Sequence, residues 1–191
     1  MTVTVTKDAT SALERAVRDL IKNQVLVGVP AEGANRQPEA GEKSAPSNAQ
    51  VGYWMEYGAP EANIPARPHL LPGIEQAQAG ITRALGDAGL AALLGDRGAV
   101  EQGLNKAGLV AQNAVRAEVT DGAFAPLSKR TIQRRNAKGR TGTKPLIDTG
   151  QYRRSLTYVI RAKGASSAMT DQERASAAGL QAVASALGVG S

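Results

Sequence analysis

The sequence predicts an α+β fold: a small, mostly antiparallel sheet packed against two longer helices, with long loops and a C-terminal extension. Three observations carry this expectation. Residues 25–29 (VLVGV) and 155–161 (SLTYVIR) are short runs rich in β-branched residues, the pattern of strands. Residues 74–88 and 100–119 place apolar side chains three and four apart, the pattern of helices with one buried stripe. Hydrophobic residues make up 42% of the 191-residue chain, yet only one Trp, four Tyr and one Phe are present, so the core must be aliphatic and rich in alanine.

The elements follow in order. Residues 2–6 alternate Thr and Val and read as a short strand or a frayed arm. A helix is expected over residues 8–22, capped by Asp8 or Thr10, with Leu13, Val17, Leu20 and Ile21 on one stripe. The strand at 25–29 ends at Pro30. Residues 31–48 are rich in Glu, Pro, Gly, Ser and Asn and read as a long surface loop. Residues 49–57 (AQVGYWMEY) are stopped by Gly58 and Pro60; if helical, they put Tyr53 and Tyr57 on one face. Prolines 65, 68 and 72 then impose an extended approach to a helix beginning near Pro72. Ile74, Ala77, Ile81, Ala84, Leu85 and Ala88 continue it. Gly86, Gly89, Gly95 and Gly98 separate it from a second helix carrying Leu104, Gly108, Ala111 and Val115. A short basic helix at 127–136 is capped by Ser128. A flexible basic loop (137–144), a turn (147–152) and the strand at 155–161 follow. From residue 164 the composition shifts to Ala, Ser and Gly, with too few large apolar groups to fold alone. The chain therefore divides into a core at 1–163 and an extension at 164–191, which is expected to contact neighbouring chains.

Bulk properties exclude several classes. Cysteine is absent, which rules out disulfides, thiolate metal sites and cysteine nucleophiles. No run of apolar residues is long enough to span a bilayer, and the N-terminus lacks a basic start followed by an apolar stretch, so neither membrane insertion nor a secretion signal is expected. His69 is the only histidine and has no catalytic or metal-ligand spacing around it; beside prolines it reads as structural. No glycine pattern matches a phosphate-binding loop. An enzyme is not expected, nor a cofactor or metal.

Charge is informative in its placement. The chain carries +6 overall, but residues 129–163 hold eleven basic residues against the single acid Asp148, a local +10 that leaves the remainder at −4. A basic segment on a mildly acidic body points to one surface facing a polyanion or an acidic protein. It lacks interleaved aromatics for stacking on single strands. TIQRRN has no well-formed helix and turn before it, which argues against a helix-turn-helix.

Two segments stand out: YWMEYGAPEANIPARPHLLPGIE at 53–75 and LSKRTIQRRNAKGRTGTKPLIDTGQYRRSLTYVI at 127–160. Together they resemble the tail-completion and minor-tail family of long-tailed bacteriophages, whose members also serve as head–tail joining, virion-morphogenesis or neck proteins. The resemblance rests on Glu56, Tyr57, Gly58, Ile64 to Arg67, Pro68, Leu127, Ser128, Thr131, Pro145 to Gly150 and Ser155, in the family's order. The family usually has Phe where His69 stands. The loop at 31–48 and the extension lie outside its pattern.

The resemblance implies a structural virion protein, one subunit of a ring around the DNA channel, most often of six copies, at the head–tail junction or head-proximal tail end. It would meet neck, connector or tail-tube proteins, and be found in the host cytoplasm during assembly. Arg67, Tyr53, Trp54, Arg134, Arg135, Lys138 and Arg140 are the expected contacts between subunits or with partners. Lys129, Arg130 and Lys144 are the expected contacts with channel DNA, without sequence specificity. Gly58, Pro65, Pro68, Asp148, Gly150 and Ser155 are expected to hold the motifs themselves, with Asp148 accepting backbone N–H groups in a turn and Ser155 opening a strand. The alternatives are a non-specific nucleic-acid-binding protein without a ring, and a tail-assembly factor that is not a permanent ring component.

Overall fold

A computed structural model describes residues 10–30, 34–36, 38 and 45–163. The strand read at 2–6, much of the loop and the extension lie outside the described residues. Helix α1 spans Thr10–Ile21, strand β1 Asn23–Gly28, helix α2 Asn48–Tyr57, α3 Leu70–Gln76, α4 Gln78–Leu93, α5 Arg97–Asp121, α6 Lys129–Ala137 and α7 Gln151–Ser155, and strand β2 Thr157–Ala162 closes the order. A single turn of 3-10 helix, Pro60–Ala62, interrupts the strap between α2 and α3. The two strands pair antiparallel, with Val25 opposite Ile160 and Val27 opposite Tyr158, and α5 packs against the pair. This is the α+β arrangement the sequence predicts, with α4 and α5 as the two longer helices.

Local chemistry sets most boundaries. Ser47 accepts from the Gln50 amide while the Gln50 side chain accepts from Ser47 N–H, a reciprocal cap that starts α2. Gly58 ends α2 at φ 80°, a left-handed conformation that other residues adopt only with strain. Asp96 accepts from Ala99 N–H and starts α5. Ser128 does the same for α6 through Thr131 N–H.

Three expectations need correction. The helix read from Pro72 to Ala88 is two helices, broken at Ala77 with neither glycine nor proline at the break. It also begins earlier, at Leu70, because the Glu56 carboxylate accepts from the backbone N–H groups of His69 and Leu70, a cap supplied from α2. Ser155 closes a helical turn rather than opening a strand: its hydroxyl donates to the Tyr152 carbonyl, and the strand starts two residues later.

The core has two textures. Val115, Val119, Leu146, Tyr152 and Leu156 form a bulky cluster where α5 meets α7, flanked by Val51, Met55, Leu70 and Ile74. The α4–α5 seam is instead made mostly of small residues, Ala84, Ala88, Ala91 and Ala92 on α4 and Gly103, Ala107 and Ala111 on α5, with Leu104 a large side chain buried among those of α5. A Cβ on Gly103 would lie 2.7 Å from the Ala88 Cβ and 3.1 Å from the Ala84 carbonyl oxygen. Ala normally outranks Gly in a helix by about 1 kcal/mol. Here Gly103→Ala is expected to lower stability by about 1–2 kcal/mol instead, because two backbones must separate. A urea midpoint at or above that of the parent chain would show that the seam is looser than this.

Candidate functional site

The two motif segments, 51 residues apart in the chain, fold against each other. The strap after α2 is held from both ends. Arg67 N–H donates to the Met55 carbonyl, and the Arg67 guanidinium donates to the carbonyls of Ala125 (3.0 Å) and Pro126 (3.3 Å), just ahead of α6. Pro65 and Pro68 flank Arg67 on the exposed side of the strap. Burial, and then the charge of Arg135, pull Arg67 below the usual arginine value. Two like charges share this junction, and backbone carbonyls offset their desolvation.

His69 sits fully buried at the centre. Its Nδ1 lies 2.9 Å from the Arg67 carbonyl oxygen and 3.1 Å from Glu56 Oε2, two acceptors that place a proton on Nδ1. Nε2 is then left to accept from the Tyr152 hydroxyl, on α7 of the second segment. Burial foremost, then the Glu56 charge, push the Tyr152 phenol upward, so it keeps its proton at neutral pH. The two rings meet edge to face at 5.4 Å. The backbone of Gly52 permits the approach of Tyr152, since a Cβ there would stand 2.9 Å from its ring.

Arg135 organises the basic loop. Only 8% exposed, it points inward from α6 and donates to the carbonyls of Gly142 (3.0 Å), Lys144 (2.9 Å), Ile147 (3.0 Å) and Pro145 (3.4 Å). Its Nε lies 3.4 Å from Asp148, which also accepts from Arg140 at 2.7 Å. Asp148 thus receives guanidinium groups rather than the backbone N–H groups expected of it. The Gln151 N–H turns to the Thr149 hydroxyl instead. Gly150 stands at φ 75° at the start of α7, where only glycine is unstrained. Lys144 reaches back to the Thr120 carbonyl (2.6 Å) and Asp121 (3.5 Å) at the end of α5, where a cation satisfies a free carbonyl.

The expected contact residues therefore divide. Arg67 and Arg135 are buried and engaged within the chain, which corrects their reading as contacts with subunits or partners: each guanidinium is a fork that satisfies carbonyls the loops leave unpaired. Arg140 and Lys144 are engaged with Asp148, Thr120 and Asp121. Lys129, Arg130, Arg134 and Lys138 are exposed, and Arg130, Arg134 and Lys138, four apart, share the outer face of α6 and its C-cap. Tyr53 is 58% exposed, its ring 4.9 Å from that of Tyr57. Trp54 is half-buried and lines a cleft of about 410 Å³ between the two segments, together with Asn48, Met55, Arg134 and Tyr152. The Asn48 Oδ1 is buried there without a hydrogen-bond partner among the described residues.

His69 is structural, as its context in the sequence suggests; sequence reasoning missed its partners, the capping role of Glu56, and Arg116, which donates from α5 to the carbonyls of Leu156 and Arg154. No local spacing signals these long-range pairs. The charge at Glu56, inside the otherwise apolar and aromatic run at 53–57, was an available hint. No protein-family model, curated protein or solved structure matches the chain.

Proposed function

We propose that this chain is a non-enzymatic structural subunit of a tailed-bacteriophage particle, completing the tail or joining it to the head as part of a ring, with six copies suggested by the resemblance. The supporting observation is the union of the two motif segments into one unit through His69–Tyr152 and Arg67–Ala125, which spends the inward cations on the fold and leaves the α6 row facing outward. Four exposed cations per copy give about 24 around a six-fold ring, a field that draws an anionic neighbour. The adjoining cleft adds the apolar faces of Trp54 and Met55. A polypeptide carrying a carboxylate and apolar side chains complements that set. A phosphodiester, which has no apolar group, complements it less well. The site is therefore read as a contact with a partner protein.

Replacing Arg130, Arg134 and Lys138 together with Ser tests this. All three are exposed, so each replacement should cost no more than about 1 kcal/mol of unfolding free energy, even where an exposed ion pair is lost. Particles built with this variant are expected to accumulate as separate heads and tails. Joined particles that leak DNA would instead assign the row to the channel. Normal particles with native-mass evidence for a monomer throughout assembly would overturn the ring. The exposed row also favours a second reading, a ring-free protein binding nucleic acid without sequence preference. That reading requires the purified parent chain to bind duplex DNA with an affinity falling steeply with salt, and the triple variant to lose it.

A further inference from the structure

The turn between α4 and α5 presents an apolar tip. Leu90 and Leu94 are 60% and 76% exposed, and Leu93 beside them is exposed as well. Asp87, Leu90 and Leu94 stand three and four residues apart, on one face of α4 and its C-cap. Gly95, at φ 78°, then turns the chain into Asp96. A single exposed leucine needs no explanation, but three leucines between residues 90 and 94 make a patch of the kind that marks a contact. The tip is also acidic. Residues 87–101 hold Asp87, Asp96 and Glu101 against the one base Arg97.

The complement lies toward the other end of α5. The cleft of about 410 Å³ between the motif segments has Trp54 and Met55 among its apolar walls and the exposed Arg134 at its lining. Arg130 stands one turn earlier on α6, and residues 129–140 hold six bases and no acid. Leu146 and Tyr152, which also line the cleft, pack on Val115 and Val119 near the C-terminal end of α5, whereas the tip sits at its N-terminal end. The 25 residues of α5 span about 37 Å, so the tip and the cleft of one chain stay apart. Between two copies they can meet. Because they are different surfaces, such a contact runs head to tail, the kind that closes into a ring or grows as a filament.

We propose that the α4–α5 tip of one copy docks in the Trp54–Met55 cleft of a second copy, led by Leu90 and Leu94, with Asp87 and Asp96 against Arg134 and Arg130. Resting on the reading above that the copies form a ring, this names the chain itself as the partner of the cationic cleft. The leucines fill an aromatic-walled pocket, where interface energy concentrates. The carboxylates beside them meet opposite charge and so fix the direction of docking.

Native mass and an exchange of charges test the contact in the full-length chain. The parent chain is expected to show masses that are multiples of one copy. Leu94 is solvent-facing in the single chain, so Leu94→Ser should spare the fold yet weaken association by about tenfold or more. Asp87→Lys and Arg134→Glu should each weaken it as well. Combined in one chain they should restore it, because every contact then carries the same pair with its signs exchanged. Particles built with these variants should lose head–tail joining with each single change and regain it with the pair. Multimers and joining that all three single changes leave intact would overturn the docking and keep the ring. Open filaments of no fixed size, dissolved by Leu94→Ser, would keep the docking and overturn the ring. A parent chain of single-copy mass at every concentration, present as one copy per joined particle, would overturn both.

Discussion

Arg135→Ala is expected to lower the unfolding free energy by about 3–5 kcal/mol, a large share of what a domain of this size has to lose. The cause is the number of groups left behind. Four carbonyls, of Gly142, Lys144, Pro145 and Ile147, converge on one guanidinium, and Asp148 balances its charge. Without it the loop from α6 to α7 has no internal donor for those oxygens and must open to water. Arg135→Lys is expected to recover less than half the loss, because an ammonium on a flexible stem cannot satisfy carbonyls in the plane of a fork. The readout is the denaturant midpoint at unchanged slope, combined with amide exchange across residues 138–150. A loss below about 1 kcal/mol would mean that water replaces the guanidinium cheaply and that Arg135 does not organise the loop.

The second large effect concerns the His69–Tyr152 pair and is a statement about coupling. Tyr152→Phe leaves the His69 Nε2 buried without its partner, and His69→Phe leaves the Tyr152 hydroxyl in the same state. Each single change is expected to cost about 1–3 kcal/mol. The double replacement removes both polar groups and keeps two rings of suitable shape, so it should cost less than the sum by about 1 kcal/mol or more. His69→Phe also frees the Arg67 carbonyl and one side of Glu56, so it should be the worse single change. Strict additivity across the cycle would show that the two residues are stabilised separately, and that the motif segments are not pinned through this contact.

Elements whose cause is local were legible in the sequence. The α5 stripe, the Ser128 cap, the strand pairs around Val25 and Ile160 and the stop at Gly58 follow from spacing and from residues acting on their own neighbours. The Ser47–Gln50 capping box was equally local and could have placed the start of α2. What escaped notice depends on distant partners. Leu70 begins a helix because a carboxylate thirteen or fourteen residues earlier caps it. Residues 147–155 looked like a turn entering a strand, since Gly150 and the alternation from Ser155 both fit that reading. Tyr152 nevertheless turns into the core as part of a short helix, drawn by Val115, Leu156 and His69. Arg67 and Arg135 were expected at contacts between subunits or with partners, although Arg67, set between prolines, was also well placed to bind carbonyls of a neighbouring element, as it does at Ala125 and Pro126. Only the folded chain reveals the loose carbonyls that call for Arg135. The exposed row Arg130, Arg134 and Lys138 was visible as charge, but its separation from the buried Arg135 required the helix to be oriented.

The alanine–glycine seam between α4 and α5 has a mechanical consequence. Ala and Gly have no side-chain rotamers to give up on folding or to recover under stress. A contact made of them cannot yield by side chains hopping between wells; it stays shut or the backbones slide as whole rods. With Gly103 against Ala88 and Gly73 against Val115, α5 is clasped at two levels along its 25 residues. Such a strut is expected to be stiff along its axis and brittle in shear, passing a push along α5 with little lost to internal rearrangement.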